Sequence, residues 1–131
     1  MTYRDLFLTA VGMTGEEIDG GEIGDYEDCA PYLLATFCRE CAEIDKQYRT
    51  AHSLGTASVP RGACVDMDEE FPLADILSPA ASYYLAAMLV ADENEELSDR
   101  FFTLYTDSLA AILSSLPASA APITDRYNLC P

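Results

Sequence analysis

Apolar residues recur at three- and four-residue intervals in four stretches of the chain, and each stretch predicts a helix. Tyr3, Leu6, Phe7, Ala10 and Val11 share the first face. Thr2, followed three residues later by Asp5, reads as its capping signal, and Gly12 is expected to end it. Leu34, Phe37, Cys41, Ile44 and Tyr48 form the second face, widened by Leu33 and Cys38. That helix is expected to run from Asp28, with Pro31 in its first turn, to about Ala51, and Gly55 supplies the stop. Ser78 as cap and Pro79 at the first helical position open a third helix. It carries Tyr83, Tyr84, Leu85, Met88 and Leu89 to about Ala91, and its several alanines imply close helix–helix approach. Asp92 to Glu96 interrupts the apolar pattern and puts negative charge at the next helix N-terminus, where the dipole favours it. In the fourth helix, ending at Leu116 before Pro117, Leu97, Phe101, Leu104 and Ser108 form one line. Phe102, Tyr105, Leu109 and Ile112 form the adjacent one, and together the two are broad enough to be buried on two sides.

The intervening stretches carry turn chemistry. Thr14 to Asp28 is rich in glycine and acid and reads as a loop, with room for one turn where Thr14 is followed by Glu17. Pro60, Gly62 and Pro72 break the pattern between Thr56 and Asp75, where Ala63 to Met67 reads as one short extended strand. A lone strand makes no sheet, so any β structure there is minor or completed by a partner chain. From Pro117 to Pro131 the chain is an Ala/Pro/Ser-rich tail carrying Ile123, Tyr127 and Leu129, either solvated or an arm that orders on a partner. The expected fold is mainly α: a bundle of about four helices in a domain spanning 1–116, one short extended segment, and an extended C-terminal tail over 117–131.

Charge narrows the function classes. Twenty-three acidic residues against seven basic ones give a formal net charge of -16. A polyanion releases no counterions from DNA or RNA, and anionic lipid repels it, so neither nucleic acid nor membrane is an expected direct partner. No basic, apolar and small-residue leader opens the chain, and no stretch approaches the ~18 apolar residues of a spanning helix. Five cysteines, an odd number without framework spacing, suit a reducing cytoplasm.

The chemistry candidates are few. Cys38-Arg39-Glu40-Cys41 offers two zinc ligands that Cys29, Cys64 or His52 would complete. Its competing reading is a helix face, with Cys41 between Phe37 and Ile44 in the core stripe, where cysteine acts as a small hydrophobe. His52, the only histidine, is expected in the last turn of the second helix, where the dipole favours a cation. No nucleophile elbow, phosphate loop or His-Glu-x-x-His accompanies it. Asp66, Asp68, Glu69 and Glu70 read as solvated acidic surface, and Asp19 to Asp28 lacks the alternating oxygens of a calcium loop. No catalytic residue, cofactor or metal ligand is therefore assigned.

The segment from Leu73 to Ile112 carries a family likeness. Pro72-Leu73 and Ala80-Ala81 precede Tyr84-Leu85-Ala86-Ala87-Met88-Leu89, then Asp92-Glu93-Asn94-Glu95-Glu96-Leu97, then Phe101-Phe102, Tyr105 and Leu109. This order resembles small helical virion proteins of tailed phages and prophages, above all the head–tail connector (portal adaptor or neck) proteins. The resemblance covers about a third of the chain and implies a non-enzymatic structural protein of host cytoplasm and virion. Its implied partners are the portal and neighbouring virion proteins, in a homo-oligomeric ring, and extended terminal segments reach adjacent subunits. Ile123, Tyr127, Leu129, Val65 and Met67 are the residues expected to make those contacts. Two other readings stand beside it: an acidic module that imitates nucleic acid toward a basic partner, and a small metal-binding or redox protein using Cys29, Cys38, Cys41 and Cys64.

Overall fold

The computed structural model describes residues 1–15 and 22–116. It is mainly helical, in the order α1 (Tyr3–Thr14), α2 (Glu22–Glu40), α3 (Ala42–Ala51), α4 (Ser78–Leu89) and α5 (Glu95–Ser115), with a single 3₁₀ turn over Asp75–Leu77. Of the loop expected over Thr14–Asp28, residues 16–21 lie outside the described residues and residues 22–28 are helix, not loop. The whole 117–131 tail, with Ile123, Tyr127 and Leu129, also lies outside the described residues.

Helix α1 begins at a complete capping box. The Thr2 hydroxyl accepts from the Asp5 amide at 3.2 Å, and the Asp5 carboxylate accepts from the Thr2 amide at 2.9 Å. The helix passes through Gly12 and stops at Gly15, whose φ of 75° is the left-handed C-cap conformation that glycine adopts without strain. One interior glycine costs only ~1 kcal/mol, and burial of Ala10 and Val11 holds that turn against the core.

Helix α2 differs more from expectation. It starts at Glu22 rather than Asp28 and contains Gly24 and Pro31 in its interior. Buried Tyr26 and Ala30 anchor the turns before the proline, and the Tyr26 hydroxyl donates to the Glu93 carboxylate. The single helix expected over 28–51 is two. Cys41 interrupts it with ψ near 5°, although its amide still reaches the Phe37 carbonyl (2.9 Å) and its carbonyl the Asp45 amide (3.0 Å). Neither proline nor glycine marks position 41, so the sequence gives no local signal of the break. Helix α3 ends at Ala51, and Ser53 takes the left-handed turn (φ 56°) two residues before the glycine expected to supply the stop.

The chain from Ser53 to Ala74 crosses the surface as a strap. Ala63–Met67 is bend and turn rather than strand. The β-type contact is an isolated antiparallel bridge, Thr2 to Glu70, completed by the chain's own start instead of a partner. Around it the Tyr3 amide donates to the Glu69 carbonyl, the Arg4 amide to that of Met67 and the Phe71 amide to that of Met1, at 2.9–3.1 Å. At its far end the strap is held by a buried carboxylate. One Asp45 oxygen accepts from the Ala74 amide at 2.7 Å and the other from Arg49 Nε at 2.9 Å. The rest of that guanidinium donates to the carbonyls of Gly55 and Pro72. A buried charge is tolerable because its lone pairs are satisfied in this way.

Helix α4 sits at the centre, packed against α1, α2 and α5. Ala80, Ala81, Ala86 and Ala87 are buried along it, alternating with Tyr84, Leu85 and Leu89. Small side chains let neighbouring helices approach, and an apolar surface all round suits burial on every side. Asn94 caps α5, its side-chain oxygen accepting from the Leu97 amide at 3.0 Å. The Ser98 hydroxyl ties α5 back to the Ala87 carbonyl at 2.7 Å.

Candidate partner-binding surface

Two sets of residues compete for function, one inside the bundle and one on its surface. The inner set is aromatic and thiol. Phe37 packs on Tyr84 at 5.6 Å between ring centroids, Tyr84 meets Tyr105 edge-on at 5.3 Å, and Phe71 links Phe37 to Tyr3. Cys38 and Cys41 lie within this cluster, fully covered. The Tyr3 hydroxyl is 3.8 Å from the Cys38 sulfur, and Tyr105 hydrogen-bonds Cys41.

Burial pushes both thiols up to about 11, well above the usual range, and the tyrosine hydrogen bonds offset only part of that rise. Tyr3 and Tyr105 are also raised, first by burial and then by the neighbouring cysteines. At neutral pH these thiols are protonated. The thiolate is the metal ligand and the nucleophile, so the Cys38/Cys41 pair is packed as core. Cys29 and Cys64 are exposed, unlike that pair. Among the described residues no three His, Cys, Asp or Glu side chains are grouped to hold a metal ion. His52 follows the last turn of α3 as its C-cap residue, its ring on Tyr48 at 4.3 Å between centroids.

The outer set lies on α5. Phe101, Tyr105 and Ile112 point into the core, while Phe102, Leu104 and Leu113 remain 49%, 39% and 46% exposed. The two-sided burial expected of this helix is therefore one-sided among the described residues. The reason lies in the spacing. Glu95, Asp99, Phe102, Thr106, Leu109 and Leu113 follow one another at intervals of four, three, four, three and four residues, which places them in one row. Leu109 is half-buried and packs at the edge of the core; the others stand outside it. The row runs for about 27 Å at 1.5 Å per residue, acidic at its start and apolar over its last three turns. Phe102 is braced edge-on against Tyr105 at 5.6 Å, so its ring is pre-positioned rather than free. No helix of the described residues is long and apolar enough to cross a membrane, so this row is not part of a spanning face.

The structure treats the residues expected to meet partners unequally. Met67 is buried at 7% exposure and its carbonyl is bonded to the Arg4 amide, so its side chain belongs to the core and is not offered outward. Val65 is half-buried, packed on the core, with its amide bonded to the Pro31 carbonyl at 3.2 Å. Phe102 and Leu113 were not among those expected residues, because the two apolar lines of this helix read as buried on two sides. The signal that distinguishes them is the polar interleaving by Glu95, Asp99 and Thr106. Comparison with known proteins returns no matching family model, curated protein or solved structure.

Proposed function

We propose that this chain is a non-enzymatic structural component of a tailed phage or prophage virion, a head–tail connector that docks under the portal. The observation that carries the proposal is the uncovered apolar row on α5, all of which except Leu113 falls inside the Leu73–Ile112 segment that bears the resemblance. Exposed large side chains at helical spacing, one braced by a core tyrosine, suit a surface that another protein covers. The compact body, clamped by Asp45 and by the pairing of residues 1–4 with 67–71, suits a rigid part that keeps its shape on docking. A ring of such parts presents many carboxylates, a surface along which DNA slides without adhering. The chain's place before assembly is the host cytoplasm, and afterwards the virion.

The test is mass spectrometry and electron cryo-microscopy of particles from cells that make this chain. A fixed copy number and ring density between portal and tail are expected. Purified particles that lack the chain would remove the reading. An acidic inhibitor would instead be found bound to a basic protein, with an affinity that collapses between 0.05 and 0.2 M salt, as on the order of one Debye length of screening demands.

A further inference from the structure

We infer that the α5 row is the seat of a single antiparallel partner helix, apolar over its first turns and carrying Lys or Arg over its last two. This deepens the reading of the chain as a protein-binding component, and it does not require the partner to be a virion protein. Three features of the row select that occupant.

The first is spacing. Alternating intervals of four and three over Glu95, Asp99, Phe102, Thr106, Leu109 and Leu113 make the seam that two helices share, since a partner helix presents side chains at the same 3.5-residue average. An extended strand presents them every second residue and would miss the row.

The second is charge. Between Met88 and Leu116 the acidic residues are Asp92, Glu93, Glu95, Glu96, Asp99 and Asp107, against Arg100 alone. Arg100 follows Asp99 by one residue and so lies about 100° off the row. Glu95 and Asp99 are in it, and the ion pairs among the described residues involve neither of them. A second copy of this chain, itself at net charge -16, would bring like charge to the same place.

The third is polarity along the axis. Within the row the acids Glu95 and Asp99 occupy the first two turns of α5, and the apolar Phe102, Leu109 and Leu113 follow them toward its C-terminus. An antiparallel helix brings its C-terminal turns to Glu95 and Asp99, and basic residues there also suit its own dipole. The two dipoles then oppose one another as well.

The experiment uses the full chain and three synthetic helical peptides of 18 residues, followed by fluorescence anisotropy. One has leucines at four-three spacing in its first three turns and lysines in its last two; the second reverses that order; the third replaces its lysines by glutamate. The first peptide is expected to bind at least threefold more tightly than the second, and the third not at all. Phe102→Ala with Leu113→Ser should weaken it at least tenfold. Glu95→Gln with Asp99→Asn, a surface change that leaves packing alone, should weaken it several-fold and flatten its salt dependence. Leu8→Ser, on exposed α1 surface, should leave it unchanged. Absent binding, binding indifferent to Phe102 and Leu113, or equal binding of the glutamate peptide overturns the inference. So does a dimer of the chain that Phe102→Glu dissolves, since the occupant is then a second copy. Binding seen only after Ile123, Tyr127 and Leu129 are all changed to Ser overturns it too, because the chain's own residues then hold the row. Loss of peptide binding leaves the chain's place in particles untouched, and its absence from particles leaves peptide binding untouched.

Discussion

Helices α4 and α5 are neighbours joined by five residues, both carrying leucines and aromatic residues, yet the protein uses them in opposite ways. Helix α4 has no polar side at all: from Ala80 to Leu89 only Tyr83 and Met88 escape full burial. Helix α5 has as many large apolar side chains, but only Phe101, Tyr105 and Ile112 are buried. Apolar breadth therefore does not by itself measure coverage. What separates the two is the size of the side chains and the company they keep. Alanines pull α4 into the middle of the bundle, where neighbours close on every side. Phe102 and Leu113 stand in line with Glu95, Asp99 and Thr106, and no neighbour can bury the large residues without stripping water from the acids.

That difference predicts unequal costs of truncation. Leu85, fully buried on α4, should lose about 3–4 kcal/mol of unfolding free energy on Leu85→Ala, the transfer term plus a residual cavity. Urea denaturation at constant slope measures it. A loss below about 1 kcal/mol would mean that α4 is not the central helix.

Alkaline titration sharpens the comparison from the inner side of the two helices. Cys41 faces Tyr105 of α5, and Cys38 faces Tyr3 of α1. Each thiol is raised from 9.0 to about 11 in the folded protein. The unfolded chain therefore releases these protons first. Their contribution is fully present below pH 9 and is lost as pH rises toward 11, by on the order of 2–3 kcal/mol per thiol. Unfolding monitored between pH 8 and 11 should show that decline, and Cys38→Ala/Cys41→Ala should flatten it up to pH 10, above which Tyr3 and Tyr105, also raised by burial, add a decline of the same sign. In the same window Cys29 and Cys64, being exposed, should alkylate long before the buried pair.

Overfilling the close approach is the next test. Ala86→Leu on α4 adds three carbons where no space exists and should cost about 2 kcal/mol, read as a lower denaturation midpoint. The equivalent enlargement on the outer side of α5, Ala110→Leu, should cost nothing measurable, because Ala110 is exposed.

How far the sequence carried each region follows from the same physics. The helical class, the Thr2–Asp5 cap, the face of α1, the alanine-driven closeness of α4 and the core placement of Cys38 and Cys41 were all legible, because each rests on local spacing or on chemistry between near neighbours. The break at Cys41 was not, since its hydrogen bonds persist and no residue there prefers a turn. Nor was the early start of α2, where Tyr26 reaches Glu93 across 67 positions of sequence and holds two turns that Gly24 and Pro31 argue against. Ala63–Met67 read as a strand because valine and methionine alternate with polar residues. Its Val65 amide instead donates to the Pro31 carbonyl and its Met67 carbonyl accepts from the Arg4 amide, contacts that no local pattern encodes. On α5 the two apolar lines were visible as spacing, but Phe102 and Leu104 in them were expected to be buried and the row through Glu95, Asp99, Thr106 and Leu113 was not read, because sequence width records which residues are apolar and not which neighbours arrive.

The smallest expected effect discriminates best between the two helices. Phe102→Ala removes an edge-on ring contact with Tyr105 and about half a buried side chain, so a loss of about 1 kcal/mol is expected. Leu113→Ser, nearly half exposed near the end of the helix, should stay within ~0.5 kcal/mol. Both are far below the value for Leu85, although leucine is replaced in two of the three. If Phe102→Ala costs as much as Leu85→Ala in the isolated chain, the ring is already covered and α5 has no free face. If instead the stability is nearly unchanged while association with a partner falls tenfold, the side chain is held at the surface for recognition, and its exposure is the property being maintained.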